Sequence, residues 1–358
     1  MELELLLQAE RLLAERLGRG WSVRRSDDVP FVRELDFEPD AVLSIAAPDG
    51  ISIQQRVEAK QRAFPRDVAA WLDTLGPVSR QAGYLFVAPY LSPGARALLE
   101  EANVNYIDMT GNMLVRSDRP SIFIRQQGAW RDPKRNEVAR SLRGATAARV
   151  VRVLCDFVPP FSSQTVAAKA GASAGYVSKL VSLFEQEALV EREGKGPNRL
   201  ITNVKWLDLI RRWTTDYRLT ESNSCRLFLA PRGLPAFLGA LEGLASQTGR
   251  RYAVTGSFAA AQRAAVASSS LLFCYAESPS EIAERAGLVT ATTAGNVYLC
   301  EPLDPVAFEH SWIESNVRYA ALAQVAADCL TGPDRMPSEG DALLEWMEVN
   351  ESLWRVDA

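Results

Sequence analysis

LDFEPDAVLSIAAPDGISIQQRVEAK, residues 35–60, is the stretch whose reading decides the fold of the first part of the chain. Pro48-Asp49-Gly50 is a turn signal between two runs rich in Val, Ile and Leu, the pattern of a β-hairpin. With a three-residue turn at 48–50, Ala47 faces Ile51 and Asp40 lies opposite Glu58. Strand side chains alternate with period two, so Glu58 and Lys60 share one face and Asp40 joins them there. The opposite face carries Leu43, Ile45, Ile51, Ile53 and Val57. The register that hides the aliphatic residues therefore also gathers the acids.

Downstream, the pattern predicts a helix at 65–76, a strand at 83–90, a helix at 92–102 and a strand at 104–109. Strand and helix alternating after a hairpin indicate an α/β core with a mixed sheet. Upstream, MELELLLQAERLLAERLG is an amphipathic helix with acids among its leucines and no basic leader, which is not the pattern of a signal peptide. Two carboxylates held close repel unless a cation joins them, and all-oxygen ligation suits Mg²⁺. A lysine two residues on suits orienting water or stabilising charge on a phosphate.

Pro39-Asp40 followed by Glu58-Ala59-Lys60 resembles the PD-(D/E)XK signature of the restriction-endonuclease-like fold. The resemblance implies a site in which Asp40, Glu58 and Lys60 are catalytic and Asp40 and Glu58 hold Mg²⁺, if the site is active. It equally allows a nuclease-like domain kept for scaffolding or DNA contact. Asp108, in YIDMTGNM, is expected to cap the turn at Gly111-Asn112.

The 358 residues include 40 Lys and Arg, 44 Asp and Glu, and one histidine. A single imidazole, His310, leaves no room for His-rich zinc sites, and any Ser-His-Asp triad would need that one residue. The five cysteines, Cys155, Cys225, Cys274, Cys300 and Cys329, form no CxxC pair. They are expected to be reduced thiols in the cores of a cytoplasmic protein. No apolar run reaches the ~20 residues of a membrane span, so no membrane partner is expected. Charge is uneven: residues 1–130 carry a net of −3, residues 131–218 a net of +7, and residues 219–358 a net of −8. A basic segment between acidic flanks is the electrostatic footprint of a nucleic-acid-binding module. QQGAWRDPKRN, residues 126–136, reads as a linker.

Within the basic segment, Ser162-Ser163-Gln164 leads into a short helix closed by Gly171, and Ser173 opens a second helix as its N-cap. There Val177, Leu180, Val181 and Phe184 recur at helical spacing and form the buried stripe. Ser173, Tyr176, Ser178, Lys179 and Ser182 fall off the stripe, with the size and polarity suited to a DNA groove. Two short helices joined by a Gly-containing turn make a helix-turn-helix. LVEREGKGPNRLITN, residues 189–203, reads as strand, turn, strand, with Arg192, Lys195 and Arg199 placed for phosphate contact. The run SAGYVSKLVSLFEQEALVERE resembles the recognition helix and wing of bacterial winged-helix transcription regulators.

The last segment alternates strands and helices. Thr255-Gly256-Ser257 before a helix is like the Gly-Ser step of nucleotidyltransferases, but SSLLFCY, residues 269–275, carries none of the metal-binding acids those enzymes need. Transferase chemistry is not expected, and the Gly-Ser step reads as packing. YAVTGSFAAAQ and ALAQVAADCLTGPDRMPSEGDALLEWM resemble the AbiEi-type antitoxin and regulator family. That resemblance implies a bacterial repressor of a toxin operon, acting on promoter DNA.

The expected architecture is an α/β (α+β) multidomain protein. Its parts are a restriction-endonuclease-like mixed sheet (1–130), a central winged helix (137–218) and a C-terminal α/β domain resembling a degenerate nucleotidyltransferase (219–358). The expected function is transcription regulation on double-stranded DNA, with a homodimer and a toxin as candidate partners. The alternatives are a Mg-dependent endonuclease directed by the winged helix, and a non-catalytic interaction scaffold.

Overall fold

The computed structural model describes residues 2–26, 39–75, 83–129, 141–194, 199–264 and 269–357. Residues 130–136 of the expected linker lie outside this set. The chain divides into two compact units, Met1–Asn136 and, Glu185–Ala188 apart, Glu137–Ala358. Both are mixed α/β, each built on one mixed sheet of seven strands. Among the described residues no helix is long and apolar enough to cross a membrane.

The first unit runs α1 (Glu2–Leu17), β1 (Ser22–Ser26), β2 (Ala41–Ala46), β3 (Ser52–Ala59), α2 (Pro65–Leu75), β4 (Tyr84–Ala88), α3 (Pro93–Glu101), β5 (Asn105–Asp108), β6 (Met113–Ser117) and β7 (Ile122–Gln126). Its strands lie in the sheet in chain order. β3, β4 and β5 are parallel, as crossover helices require, and the flanking strands are antiparallel. The hairpin has the expected register, with Ala41 opposite Val57 and Ala46 opposite Ser52. Asp49 holds the turn by accepting the Ile51 N–H at 3.0 Å, and Gly50 supplies its positive φ of 84°.

Alternation sends the two faces of this sheet into two cores. Leu43, Ile45, Val57, Leu85 and Val87 pack with Leu5, Leu6, Ala9 and Leu13 of α1. Tyr84, Phe86 and Tyr106 pack with Trp71 and Leu75 of α2 and Leu99 of α3. Each fully buried aliphatic or aromatic side chain contributes about 1.5–3 kcal/mol to such a core. Ile51 and Ile53, expected inside, are only half-buried, because they sit near the turn end of the hairpin. Helix α3 starts on Ser92, whose Oγ accepts the Ala95 N–H at 3.2 Å, with Pro93 in its first turn.

The second unit opens with α4 (Ala145–Asp156), β8 (Phe157–Val158), β9 (Phe161–Ser162), α5 (Ser163–Ala170), α6 (Ala174–Gln186), β10 (Val190–Glu193) and β11 (Leu200–Val204). Strands β10, β11 and β9 form a small antiparallel sheet beside the helices. Helices α7 (Trp206–Trp213) and α8 (Leu219–Ser222) lead into β12 (Ser224–Leu229), α9 (Leu234–Thr248), β13 (Tyr252–Thr255), α10 (Ser257–Ala260), β14 (Leu272–Ala276), α11 (Pro279–Ala286), β15 (Val289–Thr290) and β16 (Val297–Glu301). Then come β17 (Trp312–Glu314), β18 (Val317–Tyr319), α12 (Leu322–Thr331), α13 (Met336–Val349) and β19 (Val356–Asp357). The large sheet has the order β15-β12-β16-β14-β13-β18-β17.

One hydrophobic core runs from α4 through α6 and α7 to β13, β14 and α12, so the segments read above as central and C-terminal share an interior. The chain end closes it. β19 pairs in parallel with β8, and the buried Arg355 donates from Nε to the Cys155 carbonyl at 2.9 Å, where α4 runs out of its own donors.

The expectation of five reduced thiols is corrected here. Cys225 and Cys300 face each other on β12 and β16 and are joined by a disulfide. They are 75 residues apart in the chain, and only the pairing of two distant strands brings them together. Cys155, Cys274 and Cys329 are free and buried, and burial pushes all three thiols up.

Candidate functional site

The helix pair α5 and α6 is set by caps at both ends of α5 and at the start of α6. Ser162 Oγ accepts the Thr165 N–H at 3.0 Å to start α5. Gly171 ends it in the left-handed conformation, φ 55°, which a residue without a Cβ adopts at least cost. Ser173 Oγ accepts the Tyr176 N–H at 3.3 Å at the start of α6. Val177, Leu180, Val181 and Phe184 are buried, as expected from their spacing. On the outer side Ser173, Ser178 and Lys179 are exposed, and Tyr176 and Ser182 are half-buried. Among the described residues no carboxylate lies within salt-bridge distance of Lys179.

The hairpin β10–β11 leans its basic residues toward this helix. Arg192 donates from Nη2 to Ser182 Oγ at 3.4 Å, and Arg199 donates from Nη2 to the Arg192 carbonyl at 3.2 Å. A bulge between Glu191 and Arg192 turns the strand at that point. The outer face of α6 and two hairpin arginines thus form one polar, basic surface. Lys195, expected at the hairpin tip, lies outside the described residues.

In the first unit the hairpin brings Asp40, Glu58 and Lys60 to one end of the sheet. Lys60 Nζ is 2.5 Å from Glu58 Oε1, with Glu58 buried and Lys60 half-exposed. Exposed Asp40 donates its own N–H to the Val57 carbonyl at 2.9 Å. Its Oδ2 accepts the Ala59 N–H at 2.7 Å. The carboxylate thereby stands in for a backbone carbonyl at the end of the β2–β3 ladder. Lys60 is fixed from the other side, its N–H donating to the Val87 carbonyl of β4 at 2.9 Å. Carboxylates are the ligand type of a hard cation; here one oxygen of each is already engaged, Asp40 Oδ2 by the Ala59 N–H and Glu58 Oε1 by Lys60. Among the described residues no group of three or more His, Cys, Asp or Glu could hold a metal.

Asp108 takes the capping role. Fully buried, it accepts the N–H groups of Leu91, Thr110 and Asn112, the Thr110 hydroxyl and the Asn112 side-chain amide, all within 3.0 Å. It closes the β5–β6 turn and ties it to the loop after β4.

The Gly-Ser step of the second unit is packed solid. A Cβ on Gly256 would lie 2.8 Å from Met336 Cε, Ser257 is buried, and β14 bears no acid. Beside it stands a polar cluster that residue spacing did not reveal. Buried Asp328 of α12 accepts from Thr255 Oγ1 at 2.5 Å, Tyr217 Oη at 2.6 Å, Tyr275 Oη at 2.8 Å and Gln324 Nε2 at 2.9 Å. Burial pushes its carboxyl up, against the opposing pull of these donors.

Comparison with protein-family models, with curated proteins and with solved structures finds no match to this chain.

Proposed function

We propose that the protein is a DNA-binding transcription regulator that docks duplex DNA through α6 and the β10–β11 hairpin. The observation that carries the reading is the outward face of α6, with Ser173, Tyr176, Ser178, Lys179 and Ser182 beside Arg192 and Arg199. This face belongs to the one segment of the chain with a strong positive charge, net +7. A helix presented in this way suits the major groove, and the hairpin arginines suit the flanking phosphates. As an antitoxin-type repressor in a bacterial cytoplasm, the protein would act on the promoter of a toxin operon, as a homodimer on a palindromic site. The experiment is selection of duplexes from a random pool. A recurring sequence motif, lost in a Lys179→Ala, Arg199→Ala variant, is the expected result. Unselective recovery by both proteins would contradict sequence-specific regulation and leave α6 a protein-contact helix in a scaffold.

A second reading rests on Asp40, Glu58 and Lys60. The order α1-β1-β2-β3-α2-β4, with Asp40 just before β2 and Lys60 just after β3, supports a restriction-endonuclease-like domain. Asp40 and Glu58 would hold Mg²⁺, which would supply charge for phosphodiester cleavage. Lys60, at 2.5 Å from Glu58, would orient that carboxylate and face the phosphate. Plasmid and branched DNA incubated with Mg²⁺ should be cut by the intact protein and not by Asp40→Ala or Lys60→Ala. No cutting of either substrate would leave the first unit a non-catalytic domain.

A further inference from the structure

The second unit contains a cavity of about 670 Å³ that neither reading uses. Its volume falls within the range of small-molecule sites. One wall is α4, a second is the C-terminal end of α5, and the third is the segment from Asp304 to His310.

Two arginines build its frame. Arg149 donates from Nε to the Ala170 carbonyl at 2.7 Å and from Nη1 to Asp304 Oδ2 at 2.6 Å, joining all three walls. Arg152, 1% exposed, donates to Asp156 at 2.8 Å and to the carbonyls of Val306 and Glu309 at 3.1 and 3.0 Å. Both guanidinium groups are therefore spent on structure, and their charges are met by Asp304 and Asp156.

The uncommitted polar groups gather around Phe157. Lys169 Nζ stands 4.0 Å from the centre of its ring. His310, held at a φ of 55°, sets its imidazole edge-on to the same ring, with centroids 4.9 Å apart. Among the described residues no carboxylate lies within salt-bridge distance of Lys169, although three acids line the cavity. A left-handed backbone at a non-glycine residue costs about 1–3 kcal/mol, and the surrounding contacts must hold it there.

We infer that this cavity binds a small organic anion. Its carboxylate or phosphate would meet the Lys169 ammonium and the His310 imidazole, and its apolar body would lie against the Phe157 side of the cavity. Asp156 and Asp304 are paired to the arginines, and exposed Glu309 shares Arg251 with Glu277, at 3.2 and 2.7 Å, so among the described residues Glu309 is the one lining acid without a partner of its own. The inference stands apart from DNA binding and from nuclease chemistry.

His310 is the chain's only histidine, so its exposed imidazole gives one resonance that reports from the cavity wall. The test is NMR of the full chain with ¹³C-labelled histidine, titrated separately with benzoate, phenyl phosphate and the neutral benzyl alcohol. The expected result is a saturable His310 shift with one or both anions, and the stronger of the two identifies the head group. Lys169→Gln, a change at an exposed position, should weaken that binding by about tenfold or more, as loss of a charge-assisted hydrogen bond does. Three results would each overturn the inference: no saturable shift with either anion, an equal response to benzyl alcohol, or unchanged anion affinity in Lys169→Gln.

Discussion

Asp108 and Asn112 are bonded to each other twice: the Asn112 N–H donates to Asp108 Oδ1 at 3.0 Å, and the Asn112 side-chain amide donates to Oδ2 at 2.8 Å. Three further donors converge on the same carboxylate, so its removal strands several buried N–H and O–H groups together. Asp108→Ala should destabilise the first unit by about 3 kcal/mol or more, since each buried donor left unpaired costs about 1–3 kcal/mol. Urea unfolding followed by circular dichroism measures this. A loss below about 0.5 kcal/mol, the level of an ordinary surface change, would contradict the capping role.

Asp328 makes stability depend on pH with a definite sign. Burial raises its carboxyl above the ordinary value, so the folded protein holds a proton that the unfolded chain has already released. Its contribution is fully present below about pH 4, the unfolded value, and is lost as pH rises through the folded value. The slope of that loss is at most about 1.4 kcal/mol per pH unit, one proton's worth. Asp328→Asn does not titrate, so its urea midpoint should lack this fall. Parallel profiles for the two proteins between pH 4 and pH 7 would contradict the assignment.

The Cys225–Cys300 bond fixes a thiol count. Under denaturing, non-reducing conditions three thiols should react, Cys155, Cys274 and Cys329, and all five after reduction. Five reactive thiols before reduction would mean that the two strands bring the cysteines together without joining them.

What was legible in the sequence was local. The hairpin register follows from Pro48-Asp49-Gly50 and the aliphatic alternation, because a one-residue slip would turn Leu43 and Ile45 to the other face of the sheet, away from α1. The α6 stripe followed from the spacing of Val177, Leu180, Val181 and Phe184, and the cap roles of Ser173 and Asp108 from turn chemistry. What was not legible depends on distant pairing. SVRRS, residues 22–26, lacks the aliphatic signal of a strand, yet it forms β1 because β2 offers it an edge. Cys225 meets Cys300, and Asp328 meets Thr255, only once the second sheet has its strand order. The cavity beside Phe157 needs Arg149 and Arg152 to bond across more than 150 residues.

DNA docking rests on the α6 surface, and the salt dependence of duplex binding tests it most directly. Fluorescence anisotropy with a labelled duplex, over a series of salt concentrations, gives the slope of log K against log salt. Each lysine or arginine that neutralises a phosphate adds about 0.9 to that slope. A steep slope is expected for the unaltered protein, lowered by about one unit in Lys179→Ala and again in Arg199→Ala. Binding that is insensitive to salt, or a slope unchanged by both substitutions, would contradict it.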